Sequence, residues 1–195
     1  MFSRLRKLPL VLPTLAAVLA LSACGQSHTR VTTGTYAGEN GANAPYLYVG
    51  SLTYEVQLSR QLNPFNAEDA AYLQGVPAAE RKLTPGQEWF AVFMQVYNST
   101  PREYKASNDI VISDTENNTY TPLELGEINQ FAYRASPVAP HDQLPTPGTI
   151  ADDAPAQGQL LLYKIQIASL DNRPLEIKIV NPENPSESAS AELDV

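Results

Sequence analysis

Three features of the sequence predict an all-β fold, an antiparallel β-sandwich of seven to eight strands. Apolar and polar residues alternate over residues 52–58, which is the period of a half-buried strand. Residues 89–97 are apolar at almost every position, as is typical of a central strand that is covered on both faces. Shorter alternating segments follow between turn residues, whereas only residues 66–75 carry the pattern of a short helix.

The first predicted strand presents four apolar residues on the face that we expect in the core: Leu52, Tyr54, Val56 and Leu58. Residues 63–65 (Asn-Pro-Phe) end this strand, because proline cannot donate to a neighbouring strand. Asn66 is a suitable N-cap for the helix, since asparagine readily accepts hydrogen bonds from the first turn.

The central strand leads into a predicted hairpin. A turn at residues 85–86 (Pro-Gly) precedes the apolar segment, and a further strand covers residues 109–113. Residues 114–119 (DTENNT) are rich in side chains that tolerate a left-handed backbone, so they predict the hairpin turn. Tyr120 then begins the return strand.

The C-terminal third predicts three further strands. One parity of the first strand is apolar: Leu161, Tyr163, Ile165 and Ile167. After a turn at residues 170–174, a second set alternates in the same way: Leu175, Ile177 and Ile179. The last strand is predicted over residues 191–195, with Leu193 and Val195 facing inward.

The N-terminus has the pattern of a secretory signal peptide, predicted over residues 1–23. A short basic start precedes the apolar residues 8–21, which are interrupted by Pro9 and Pro13. This apolar segment is shorter than the ~20 residues that a membrane-spanning helix needs, so a permanent transmembrane anchor is not expected.

Leu21, Ser22, Ala23 and Cys24, followed by glycine, resemble the lipobox of bacterial lipoproteins. The resemblance implies that Cys24 receives a diacylglyceryl thioether, is cleaved at its N-terminal side and anchors the protein to the extracytoplasmic face of a membrane. Two acyl chains are enough for stable anchoring. The alternative is an ordinary signal peptide with an incidental cysteine.

Residues 24–44 are predicted to be the acylated cysteine and a flexible tether, and residues 45–195 to be the folded domain. The tether is rich in glycine and small polar residues without apolar periodicity. Its single histidine, His28, is expected to be solvated. A chain of this length and composition spans about 25 Å on average, which lets the domain stand away from the membrane.

A second resemblance rests on residues 86–98, on residues 109–114 and on Tyr120. Together they are similar to the immunoglobulin-like domain of unknown function in bacterial lipoproteins and to the telokin-like, immunoprotective extracellular antigen fold. Asn117 stands where that family usually has glycine, and residues 158–163 match its later strand. The resemblance implies an immunoglobulin-like sandwich and brings no catalytic or ligand residue with it.

The composition and charge of the sequence argue against several classes of partner and cofactor. The formal net charge is −8, and the first 23 residues carry three basic residues and no acid, so the domain alone is more acidic still. Such a surface repels nucleic acid, which is not expected as a partner. One cysteine provides neither a disulfide framework nor a cysteine-based metal cluster, and no cofactor or metal is expected.

Residues 134–158 are the most unusual segment, because they predict a long irregular loop with five prolines. The loop holds the candidate binding residues His141, Asp142, Asp152 and Asp153. The alternative is a structural crossover between sheets. Four tyrosines fall near predicted strand ends or loops: Tyr46, Tyr48, Tyr104 and Tyr133. Exposed aromatic side chains there could stack on sugars or anchor a protein, and the alternative is that most are rim and core tyrosines.

Asp114, Glu116 and Asn118 have the spacing of oxygen ligands in a calcium loop but lack its sixth-position glycine, so a hairpin turn is the simpler interpretation. The sequence therefore predicts a non-enzymatic binding or accessory module of the cell envelope, with an envelope protein or glycan as partner. The alternatives are a small-ligand or cation binding protein, or an envelope glycan hydrolase that uses acids such as Asp109 or Asp114.

Overall fold

The computed structural model describes residues 46–193, which form two packed antiparallel sheets with little helix. The strands are β1 (Tyr46–Val49), β2 (Leu52–Leu62), β3 (Gln87–Tyr97), β4 (Tyr104–Lys105), β5 (Ile110–Ser113), β6 (Thr119–Tyr120), β7 (Pro137–Val138), β8 (Gln143–Leu144), β9 (Gln159–Gln166), β10 (Leu175–Val180) and β11 (Ser188–Leu193). The helices are α1 (Ala67–Tyr72) and α2 (Ile150–Asp153), with 3-10 turns at Ala78–Glu80 and Ile167–Leu170. The predictions for residues 1–44, including the lipobox and Cys24, lie outside the described residues.

Sheet 1 has the order β1-β2-β3-β8, with β9 also paired to β3, and sheet 2 has the order β11-β10-β5-β6. The short strands β4 and β7 form a separate pair. Every pairing between named strands is antiparallel. Among the described residues, seven strands have four or more residues, so the predicted antiparallel β-sandwich is confirmed.

The main core lies between the two sheets. Its largest fully buried side chains include Tyr54, Phe90, Met94, Ile112 and Tyr163. They come from alternate positions of their strands, as the two-residue period requires. The apolar parity predicted for β10 is confirmed, because Leu175, Ile177 and Ile179 are all fully buried here.

A second core covers part of the outer face of sheet 1 and explains why β3 is apolar at both parities. Residues 89–96 are all buried, and alternate ones face this second core. Tyr72 of α1 packs edge-on against Phe93 and Phe131, with ring centroids 4.9 and 4.8 Å away. Asn66 caps α1 as predicted, since its side chain accepts hydrogen bonds from the amides of Glu68 and Asp69.

The expectation that Leu58 shares a face with Val56 is wrong. The register between β2 and β3 shifts between these two residues, so Val56 pairs with Met94 while Leu58 pairs with Phe93. A bulge inserts one residue and therefore reverses the face of every later side chain in the strand. Leu58 consequently packs against the second core and not between the sheets.

Two further expectations near the C-terminus need correction. Ile167 does not continue the buried parity of β9, because the strand ends at Gln166 and Ile167 begins a 3-10 turn, where it is 49% exposed. The last strand begins at Ser188, three residues earlier than predicted. Leu193 is buried as expected, whereas Val195 lies outside the described residues.

The prediction of an irregular loop over residues 134–158 holds for most of the segment but missed three short elements. This segment contains β7, β8 and α2, and its β8 joins the edge of sheet 1 through Val96 and Tyr97 of β3. The prolines between these elements do not prevent hydrogen bonding to the sheet. These hydrogen bonds hold the backbone of the segment in one conformation. Within residues 46–193, no helix is both long and apolar enough to cross a membrane.

Candidate functional site

Part of the outer face of sheet 1 is not covered by the second core and carries polar and aromatic side chains. We call this surface the tyrosine face, and its residues are Tyr46, Tyr48, Thr53, Glu55, Gln57, Gln95, Tyr97 and Gln143. Their strand neighbours Leu47, Tyr54 and Val96 lie in the core between the sheets. Because successive side chains of a strand point to opposite faces, the residues of the tyrosine face point outward.

The strand register arranges these side chains in two rows across the sheet. In the first row, Tyr48 pairs with Thr53, Thr53 with Tyr97, and Tyr97 with Gln143. In the second row, Tyr46 pairs with Glu55, which in turn pairs with Gln95. Directly opposed side chains of neighbouring strands lie within contact distance, so each row is a continuous strip of polar and aromatic groups.

The polar members of the tyrosine face are fixed by hydrogen bonds to one another. The Tyr97 hydroxyl donates to Glu55 Oε2 at 3.1 Å and also contacts Gln95 Oε1. Gln57 Nε2 donates to Gln95 Oε1 at 3.1 Å, and Gln95 Nε2 donates to the carbonyl oxygen of Gln157. Side chains that are held in this way lose little conformational freedom when a ligand binds, which favours recognition.

Burial distinguishes the centre of the tyrosine face from its edge. Glu55, Gln57 and Gln95 are buried, whereas Tyr48 is 50% exposed. Burial raises the pKa of the Glu55 carboxyl, and hydrogen bonds from Tyr97 and Gln57 offset part of that rise. Glu55 therefore keeps its proton to a higher pH than a free glutamic acid does.

The segment at residues 149–158 forms the wall beside this surface. It includes α2, and Gln157 receives the hydrogen bond from Gln95 that ties the wall to β3. Asp152 accepts hydrogen bonds from the amide of Gly148 at 2.9 Å and from Gln143 Nε2 at 3.5 Å. Asp152 thus stabilises its own turn and lies next to the end of the first row.

A cleft of about 370 Å³ adjoins the tyrosine face at Tyr97. Its lining consists of Tyr97, Asn98, Ser99, His141, Asp142, Gln143 and Pro147. His141 is exposed and has a positive φ of 57°, which is uncommon for a residue with a side chain. Gln143, which lines this cleft, also donates to Asp152. Two of the predicted binding residues, His141 and Asp142, therefore lie in the same region as Asp152.

Asp153 is separated from that group. Together with Tyr72, Phe131 and Ile150 it lines a different depression of about 350 Å³ beside the second core. Adjacent residues of the short helix α2 point in different directions, and for this reason the pair Asp152–Asp153 does not act as one site.

A further cleft of about 570 Å³ lies between β5, β9 and the segments 121–125 and 132–136. Leu160 and Leu161 line it, and Asp109 and Arg134 contribute polar groups. The Arg134 guanidinium donates to the carbonyl oxygens of Leu125 and Gly126, at 2.7 and 3.0 Å. This arginine consequently stabilises the wall of the cleft.

The acids Asp109 and Asp114 lie at opposite ends of β5. Four residues of extended strand lie between them and place their Cα atoms about 16 Å apart, which exceeds the ~5–10 Å between the paired carboxyls of glycosidases. Asp114 Oδ1 accepts hydrogen bonds from the amides of Glu116 and Asn118, and its Oδ2 accepts one from Asn118 Nδ2. These two acids are therefore not a hydrolytic pair.

The same contacts identify residues 114–119 as the predicted hairpin turn, in which Asn117 adopts a φ of 64°. Burial tends to raise the pKa of Asp114, but hydrogen bonds, with that from Asn118 first, outweigh it and lower this pKa to about 2. Among residues 46–193, no group of three or more His, Cys, Asp or Glu side chains is arranged to hold a metal ion.

Sequence reasoning missed the buried centre of the tyrosine face, namely Glu55, Gln57 and Gln95. Polar residues at alternate positions of a strand indicate a solvated face, whereas these three side chains are buried and Gln95 is hydrogen-bonded to Gln157, 62 residues later in the chain. One signal was present in the sequence. Gln95 is the one polar residue between Trp89 and Tyr97, in a segment whose other residues are apolar or aromatic.

No protein-family model and no curated protein matches the sequence. Solved structures do match. They include a candidate lipoprotein, ycdA, from Bacillus subtilis subsp. subtilis str. 168 (7% identity, TM-score 0.50, covering 76% of this chain and 38% of ycdA). The yjhA protein of Bacillus subtilis matches with 9% identity and a TM-score of 0.50, covering 77% of this chain and 97% of yjhA.

An uncharacterized β-sandwich protein from Clostridium difficile 630 has 8% identity and a TM-score of 0.41, covering 86% of this chain and 95% of that protein. The chain spans less than half the length of ycdA. At such identities, the likeness to ycdA and yjhA concerns the fold alone. The protein is thus a β-sandwich similar in fold to these two Bacillus proteins.

Proposed function

We propose that this protein is an extracytoplasmic lipoprotein whose β-sandwich, of immunoglobulin-like type, binds a component of the cell envelope without chemical conversion. The observation that carries the proposal is the tyrosine face, a sheet surface that is exposed at Tyr48 and whose buried polar side chains are fixed by mutual hydrogen bonds. Aromatic rings that are at least partly exposed, beside preorganised polar groups, are the composition of a recognition surface.

The position of the tyrosine face also supports the proposal. It includes Tyr46, the first described residue, so the surface begins where the predicted tether ends. Anchoring through acylated Cys24 would hold this surface within reach of the membrane and of the material next to it. The three loop residues His141, Asp142 and Asp152 would contribute to its edge.

The proposal is tested by introducing a photo-crosslinking amino acid at Tyr48 in the full chain and irradiating intact cells. We expect a reproducible adduct with an envelope component at this position, because Tyr48 is half exposed on the tyrosine face. The matched control carries the same amino acid at Lys178, an exposed position of β10 on the opposite sheet. Equal adducts at both positions, or none at position 48, would contradict the proposal.

A separate prediction concerns the anchor. Cys24→Ala removes the thiol to which the lipid would be attached, so we expect an uncleaved precursor or a protein released from membranes. Cell fractionation and the mass of the N-terminal peptide measure both effects, and Ser22→Ala, which keeps a small residue, serves as the control. A Cys24→Ala protein that is processed at the same site and stays membrane-bound would exclude lipidation at Cys24.

A further inference from the structure

We propose that the ligand of the tyrosine face is an uncharged glycan chain that lies across strands β1, β2 and β3. This inference rests on the proposed function, since it names the chemical class of the envelope component that the same surface would bind. It is carried by the identity and register of the side chains in the two rows.

The spacing of the aromatic residues fits an extended oligosaccharide. Tyr48 and Tyr97 lie in the same row on either side of Thr53, two strand spacings or about 10 Å apart. Tyr46 lies two residues before Tyr48 on β1, about 7 Å along the strand. Aromatic rings present apolar faces, and the C–H faces of pyranose rings can pack against such surfaces.

Hydrogen-bonding groups lie between these rings, where the hydroxyls of a bound sugar would be. The Thr53 hydroxyl and the Gln143 amide belong to the row of Tyr48 and Tyr97 and are partly exposed, whereas the Glu55 carboxyl beside Tyr46 is buried and supports the surface from below. Sugars require donors and acceptors in fixed positions, and the buried network around Gln95 holds the hydroxyl of the partly exposed Tyr97 in place.

The charge of the tyrosine face favours an uncharged glycan over an anionic one. The tyrosine face contains no lysine or arginine, and the nearest acids on its edge include Asp142 and Asp152. A phosphate-bearing or sulfated polymer would meet no positive partner there, and the acidic chain would repel it. An uncharged chain meets neither obstacle.

The same composition is poorly suited to a protein partner. Its eight residues include no aliphatic side chain, and glutamate occupies the centre. Cores of protein interfaces are depleted in charged residues and combine aromatic residues with methionine, arginine and other apolar contacts. The observations therefore favour a glycan, and a protein ligand becomes an outcome of the test.

The test uses the full chain purified in detergent, with calorimetric titration of cello-, chito- and manno-hexaose as uncharged probes and heparin as the polyanion. We expect at least one uncharged hexasaccharide to bind and heparin not to bind. Tyr48→Ala should weaken that binding about tenfold, because one stacking ring is lost. Its matched control is Phe65→Ala, which removes an aromatic side chain that is 95% exposed in the loop before α1 and should leave the affinity unchanged.

Thermal unfolding of each variant confirms that the domain is folded. Binding of heparin alone, binding of no hexasaccharide, or equal losses in Tyr48→Ala and Phe65→Ala would overturn the inference. If no sugar binds while the crosslinker at Tyr48 captures a protein in cells, the glycan inference is wrong and the proposed function stands. If neither experiment gives a ligand at Tyr48, both are wrong.

Discussion

Gly158→Ala is expected to lower the free energy of unfolding by about 3 kcal/mol. Gly158 lies immediately before β9 and packs directly on the backbone of β3. A methyl group here would be 2.8 Å from the Met94 nitrogen and 3.0 Å from the Phe93 carbonyl carbon. Both contacts are closer than van der Waals distance, and neither atom belongs to a side chain that can move aside. The strands must therefore separate, or the segment that forms the wall of the tyrosine face must shift.

Thermal and urea-induced unfolding measure the effect, which corresponds to a fall of about 9 °C in Tm for a domain of this size. Gly126→Ala is the matched control, because its methyl group would be 3.4 Å from the nearest atom, the Gly75 carbonyl oxygen. That is an ordinary contact, so the stability should stay within about 0.5 kcal/mol. Equal stabilities for the two variants would show that Gly158 is not tightly packed on β3.

Local patterns were sufficient to predict the sandwich, because strand period and turn residues are properties of neighbouring positions. The alternation in β10, the apolar β3 and the hairpin after β5 are confirmed for that reason. The two-residue strand period predicted the wrong environment for the side chains of Leu58 and Ile167. A bulge before Leu58 and a 3-10 turn at Ile167 change the direction of the side chain without changing the apolar pattern.

The sequence predicted the edge of the candidate site and its two tyrosines on β1 but not its centre. His141, Asp142 and Asp152 were predicted because they lie in an unusually long, proline-rich segment. The structure brings these three residues near Tyr97. The centre of the tyrosine face depends on pairing between β1, β2 and β3 and on a wall about 60 residues later in the chain than Gln95. Apart from the polar Gln95 within the apolar β3, such non-local packing leaves no local pattern, so these residues could not be assembled into one surface from the sequence.

Asn98→Ala is expected to have a second large effect, about 3 kcal/mol, because this buried side chain connects two loops. Asn98 Nδ2 donates to the carbonyl oxygens of Arg102, Val138 and Ala139, at 2.7, 2.9 and 3.0 Å. Its Oδ1 accepts from the Thr100 amide at 3.0 Å and from the Thr100 hydroxyl at 2.7 Å. Alanine removes all of these bonds and leaves the carbonyl group of the buried Val138 without this donor.

The consequence should reach the cleft that contains His141 and Asp142. The amide of Asn98 donates to the Asp142 carbonyl oxygen at 2.9 Å, and the amide of His141 donates to the Thr100 carbonyl oxygen at 3.2 Å. Loosening the loop at residues 98–102 therefore also loosens residues 138–142. Hydrogen exchange measured without urea should be faster for these amides in Asn98→Ala than in the unchanged protein. Urea-induced unfolding of the same variant measures the loss of global stability.

Two further variants separate the contributions of Asn98. Ser99→Ala changes the exposed neighbour and should leave stability within about 0.5 kcal/mol of the unchanged protein. Asn98→Asp keeps the acceptor for Thr100 but replaces the donor by a second oxygen facing three carbonyl oxygens. Repulsion between these oxygens should make Asn98→Asp at least as destabilising as Asn98→Ala. If Asn98→Asp were instead as stable as the unchanged protein, the acceptor contacts alone would hold the loops, and the cleft beside Tyr97 would not depend on the Asn98 donor.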